Sequence, residues 1–153
     1  MKAIEKKVPP VVLVLIVAVL MVGVTQITPS LSLNWPLRIG LALLILGVSV
    51  VVLLLSFRAF RRVKTTLNPL QPERASSLLN SGIFACSRNP IYLAMLLWLV
   101  ALAVILANVF ALLGCVIFCA YLTQFQIKPE ERALKERFGN EYNRYINQVR
   151  RWL

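Results

Sequence analysis

Two parts of this sequence hold residue types that could do chemistry together: the adjacent carboxylates Glu130 and Glu131, and the run Arg88-Asn89-Pro90-Ile91-Tyr92. A carboxylate pair, a phenol, an amide and a guanidinium brought to one place would suit a small zwitterion. Its cation would face Glu, and its carboxylate the exposed N–H groups of a helix start. Local physics offers a plainer account of each part. Asn followed by Pro is a favoured N-cap and first helical position, and two acids just after Pro129 suit the positive end of a helix dipole. Both accounts stay open until the topology is considered.

What the chain lacks narrows the chemistry further. Its 153 residues include six Glu, no Asp and no His. That rules out a Ser-His-Asp triad, a Cys-His pair, an HExxH zinc site and an EF-hand loop. Cys86, Cys115 and Cys119 form no CxxC and have no His to complete a zinc site, so no metal is expected. Glycines at 23, 40, 47, 82, 114 and 139 form no GxGxxG, which excludes a Rossmann cofactor fold. A net charge of +11 raises nucleic acid as a partner, but 59% hydrophobic content and a mean hydropathy of +0.75 describe a membrane chain instead.

The elements that must position these residues are apolar spans. Uncharged stretches predict an all-α integral-membrane bundle with four transmembrane helices at about 8–27, 37–57, 90–107 and 109–125. They form one membrane domain over 1–153, with a loop at 58–89 and a tail at 126–153. The last two spans run almost end to end. As one helix they would reach roughly 50 Å, too long for a hydrocarbon core about 30 Å thick. The chain must turn near polar Asn108, making a helical hairpin. Basic residues concentrate at the N-terminus, in the loop and in the tail, with Arg38 alone on the other side. Both termini are therefore expected in the cytoplasm, and anionic lipid becomes a secondary partner. The N-terminal apolar run lacks a small-residue cleavage site and is read as a retained helix.

The tail repeats Ile127, Leu134, Phe138, Tyr142, Tyr145, Ile146 and Val149 at helical spacing with Arg and Lys between them. That predicts an amphipathic C-terminal helix at the membrane surface, interrupted at Gly139, with Trp152 as an interfacial anchor. Because spans three and four form a hairpin, the ends carrying Asn89 to Tyr92 and Glu130-Glu131 must be neighbours. The candidate cluster thus follows from topology.

At these residues the chain resembles the isoprenylcysteine carboxyl methyltransferase and phospholipid methyltransferase superfamily. Ser87-Arg88-Asn89-Pro90-Ile91-Tyr92-Leu93 is similar to its R-(H/N)-P-x-Y-x-G element. Glu130 through Phe138-Gly139-Asn140-Glu141-Tyr142 to Tyr145 resembles its E-E-x-x-L-x-x-x-F-G-x-E-Y-x-x-Y element, and Leu79 to Phe84 resembles the segment before the first motif. The likeness covers about 64–153. Asn89 stands where many members have His, a variant associated with bacterial members, which would place the chain in a bacterial inner membrane. Ala94 stands for a Gly, and Phe84 for a Tyr.

The resemblance implies S-adenosyl-L-methionine (SAM) as cofactor and a lipophilic methyl acceptor reaching the site through the bilayer. It assigns cofactor binding to Ser77, Leu78, Leu79, Phe84, Arg88, Asn89, Pro90, Ile91, Tyr92 and Glu130. Glu131 and Tyr92 are the candidates for any proton transfer. Gln126 occupies the substrate position that is Arg in prenylcysteine-methylating members. Methyl transfer from a sulfonium needs positioning and exclusion of water, not His. A small four-helix exporter and a non-catalytic membrane scaffold are the alternatives. The exporter ranks lower because no Glu falls inside a span.

Overall fold

The computed structural model describes residues 7–63 and 78–153. Among them every regular element is helical and none is a strand. The expected spans correspond to α1 (Pro10–Thr25), α2 (Trp35–Val63), α3 (Pro90–Leu106) and α4 (Leu112–Leu122), and the tail to α5 (Lys128–Gln148). The stretches Trp35–Arg62 and Val109–Gln148 are long and apolar enough to cross a membrane, whereas Pro10–Thr25 and Pro90–Leu106 are shorter apolar helices. The outward faces of α1, α2 and α4 carry exposed Leu15, Val19, Leu43, Leu44, Leu54, Leu113 and Val116. Apolar exposure on this scale is what a lipid-facing surface requires.

Small residues set how closely the helices pack. Ala42, Ser49 and Ser56 lie seven apart on α2 and are all buried, as are Ala94 and Ala101 on α3. Ser49 Oγ donates to the Ala94 carbonyl at 3.1 Å, a close approach typical of helix pairs in lipid. A second contact joins α1, α3 and α4 through Val17, Met21, Leu99 and Phe118. Gly114 makes this approach possible, since a Cβ there would sit 2.5 Å from Met21 Cγ and 3.2 Å from Val17 Cγ1. Gly114→Val is expected to destabilise the protein by about 1–3 kcal/mol, read as a lowered melting temperature in detergent. Gly40→Ala, with nothing near its Cβ, should leave that temperature unchanged.

The turn expected at Asn108 is present. Ala107 adopts a left-handed conformation with φ 46°. Asn108 Oδ1 accepts from the backbone N–H groups of Phe110 at 2.9 Å and Ala111 at 3.2 Å, and its Nδ2 donates to Thr28 Oγ1 at 2.9 Å. One amide therefore caps the return helix and ties it to the segment after α1. On the same side, Arg38 is consumed locally, donating to the carbonyls of Leu33 and Leu31.

Two boundaries differ from the sequence expectation. Helix α2 continues to Val63 rather than stopping near 57, carrying Arg61 and Arg62 in its last turn, where the helix dipole favours cations. The tail is not a separate helix after the fourth span. Instead α4 passes into α5 through a π turn at Thr123–Ile127. Pro129 explains that widening: it has no N–H, and its ring would strike the carbonyl four residues back in an ordinary helix. Gly139, at φ 48° and ψ −118°, kinks α5 as expected.

Candidate functional site

The hairpin brings the start of α3 against the start of α5, and the side chains there form two linked groups. In the first, Tyr92 Oη donates to Glu130 Oε1 at 2.7 Å, and Gln126 Nε2 donates to the same oxygen. Gln126 and Tyr92 are buried and Glu130 is half-buried. The π turn places Gln126 and Glu130 on successive turns, so both reach α3 from one side.

In the second group Glu131 is clamped by two guanidinium groups. Arg151 binds it through Nε at 2.9 Å and Nη2 at 2.7 Å, a bidentate pairing, and Arg88 Nη2 lies 3.2 Å away. The hydrogen bond to Glu131 is the main cause that raises the Arg151 pKa. Arg88 is nearly buried, and its Nε finds no hydrogen-bond acceptor among the described residues.

The end of the chain closes over both motifs. After the Gly139 kink, residues 149–153 return to the start of α3. The Arg88 N–H donates to the Arg150 carbonyl at 3.1 Å, and Asn89 Nδ2 to the Arg151 carbonyl at 2.9 Å. Trp152 Nε1 donates to Thr123 Oγ1 at 3.3 Å, and its ring packs partly buried against the core. Trp152, expected as an interfacial anchor, is thus also tied into the fold. Asn89 is also used differently from the expectation. It precedes Pro90 at the helix start, but its side chain makes no cap and holds the returning C-terminal segment instead. The backbone N–H groups of the first turn of α3 therefore have no side-chain cap.

The segment before α3 is fixed from two directions. Phe84 is buried, its ring meets Phe60 edge-on at 5.5 Å, and its carbonyl accepts from Tyr145 Oη at 2.7 Å. Leu78 packs beside Tyr142, Tyr145 and Val149, while Leu79 is half-buried nearby in the chain. Burial raises the pKa of both tyrosines, that of Tyr142 to about 12 with Glu131 adding to the effect. Both phenols remain protonated donors. Pro90 is buried, and Ile91 packs against the core beside Tyr92. Ser77 lies outside the described residues, as do the basic residues Lys2, Lys6, Lys64 and Arg74.

Of the sequence-predicted residues, the structure brings Tyr92, Gln126 and Glu130 into direct contact, and separately joins Arg88 to Glu131. Glu130 faces the α3 tyrosine, and Glu131 faces the arginines. Arg151 is the residue sequence reasoning missed. Its only signal was the Arg150-Arg151-Trp152 cluster, which read as topology and anchoring.

A model of the phospholipid methyltransferase family matches residues 36–141. The chain belongs to the phospholipid methyltransferase family. An uncharacterised protein of Haemophilus influenzae is 50% identical over 62 residues, covering 40% of this chain and 98% of that protein. Protein-S-isoprenylcysteine O-methyltransferase B of Arabidopsis thaliana is 27% identical over 124 residues, covering 79% of this chain. The match spans 61% of the plant protein's length. No solved structure matches the chain. Family membership and the plant relative support a membrane methyltransferase.

Proposed function

We propose that this chain is a multi-pass membrane methyltransferase that uses SAM to methylate a lipophilic acceptor. The observation that carries the reading is the meeting of the two motifs, with Tyr92 hydrogen-bonded to Glu130 and Arg88 ion-paired to Glu131. Residues 1–153 form one membrane domain with four crossings and both termini in the cytoplasm. The 17 residues of α3 lie at the short end of the usual range of roughly 17–25 and the 16 of α1 just below it, and the amphipathic part of α5 lies along the surface.

The residues present fit SAM. Glu130 offers negative charge toward an ammonium or sulfonium. The uncapped first turn of α3 offers N–H groups to a carboxylate. Arg88 Nε is a buried donor awaiting an acceptor, a condition that a ligand oxygen relieves. Phe84, Leu78 and Leu79 supply apolar walls. When bound, SAM supplies an electrophilic methyl group for in-line displacement. The chain's own part is to orient the reactants and exclude water. Tyr92 and Gln126 fix the Glu130 carboxylate from two directions. Glu131, both of whose oxygens are engaged by arginines, holds the two motifs together, so any proton lost by an amine acceptor falls to the Tyr92–Glu130 pair. Gln126 is turned to Glu130 and presents no guanidinium, so an acceptor carboxylate has no cationic partner at this position.

A ligand that binds only the folded state raises stability, by about 2.7 kcal/mol at a hundred times its dissociation constant. SAM and its demethylated product should each raise the melting temperature of the detergent-purified protein by several degrees. Well-folded protein whose melting temperature neither compound moves would overturn the proposal.

A further inference from the structure

Outside the Tyr92–Glu130 contact, α5 walls a second feature. Lys128, Arg132 and Lys135 follow one another at steps of four and three, which stacks them on one side of the helix. With Arg88 and Arg151 they line an open cleft of about 420 Å3. Its one acidic lining residue is Glu131, and the rest is Tyr142, Ile146 and Asn147. Glu131 is already bound by Arg88 and Arg151. Five cations therefore face a single carboxylate, and burial keeps the Tyr142 phenol a protonated donor.

A cleft so rich in donors and positive charge suits an anion with several oxygen acceptors, which is the chemistry of phosphate. Its volume falls within the usual range for small-molecule sites, roughly 300–1,000 Å3, and exceeds what a bare oxyanion fills. Lys128 begins the helix that continues directly from the apolar stretch 109–127. If that stretch crosses the bilayer, the cleft opens at the level of the lipid headgroups. We propose that this cleft binds the phosphodiester headgroup of an anionic phospholipid. A zwitterionic lipid would bring an ammonium group against a lining of five cations and one carboxylate and is disfavoured. The inference rests on the membrane reading and not on methyl transfer; because Arg88 also adjoins the proposed cofactor site, Lys128, Arg132 and Lys135 carry the test.

The test is native mass spectrometry of the full chain in detergent with defined lipids, counting bound phosphatidylglycerol against phosphatidylcholine. The wild-type protein should retain phosphatidylglycerol preferentially. Each surface cation is worth about a factor of five in affinity for anionic lipid, so Lys128→Gln, Arg132→Gln and Lys135→Gln together should weaken retention roughly a hundredfold. Lys135→Gln alone should weaken it about fivefold, which keeps the test sound if the triple variant does not fold. Equal retention of both lipids would overturn the proposal. So would an equal loss in Arg137→Gln with Arg144→Gln, exposed positions outside the cleft lining, because the attraction would then be general. Binding of glycerol 3-phosphate as tight as that of the lipid would point to a soluble phosphate ligand and overturn the lipid assignment.

Discussion

Glu130→Gln is expected to weaken SAM binding roughly 10- to 100-fold, the worth of one charge-assisted contact, with methyl transfer falling at least in proportion. The substitution keeps the side chain's shape and one carbonyl oxygen to accept from Tyr92, so the packing at the start of α5 has little reason to change. What disappears is the negative charge that faces a sulfonium or ammonium. The checks are a binding isotherm and the unliganded melting temperature, which should remain near the wild-type value. Tyr92→Phe makes a useful companion. It leaves the charge and removes the hydroxyl that orients it, and should cost less binding than Glu130→Gln. If Glu130→Gln binds SAM with unchanged affinity, the carboxylate has no role at the cofactor.

The second large effect is expected at the end of the chain. A protein stopped after Val149 loses the carbonyls that accept from Arg88 and Asn89, the bidentate clamp on Glu131, and the Trp152 ring in the core. Two hydrogen bonds, a charge-assisted pair and a partly buried indole together suggest about 3–5 kcal/mol of lost stability. Screening limits the ionic share, because Arg151 is a third exposed. SAM-dependent stabilisation should be weakened with it, since the Arg88-Asn89 corner is then held to α5 by the Arg88–Glu131 ion pair without the backbone bonds to Arg150 and Arg151. Arg151→Lys separates geometry from charge. A single ammonium cannot reproduce the fork, so this variant should fall between the wild type and the truncation. Truncated protein that melts and binds as the full chain does would show that the returning segment is ornamental.

These expectations show which parts of the site can be read from sequence. The turn at Asn108 was legible because a polar residue between two apolar runs has nowhere else to go in a bilayer. Once the hairpin was placed, the meeting of Tyr92 with Glu130 followed from chain length. Asn89 was half legible: its place before Pro90 marks the helix start, but its side chain serves a carbonyl 62 residues away. Arg151 was not legible, because its contact with Glu131 depends on the Gly139 kink sending the chain back, and local spacing does not encode that direction. The π turn was hidden similarly. Pro129 announces a disturbance, but whether the helix ends or widens depends on what packs against it. Trp152 fits an interface by type and belongs to the core by contact.

The central claim is transfer of a methyl group to a lipophilic acceptor, with Glu130 at the cofactor. Membranes containing the protein should be incubated with methyl-labelled SAM and extracted into organic solvent. The account predicts label in the lipid-soluble fraction that grows with the amount of wild-type protein and falls to background with Glu130→Gln. Label absent from every fraction with folded wild-type protein, or equally present with Glu130→Gln, would contradict it.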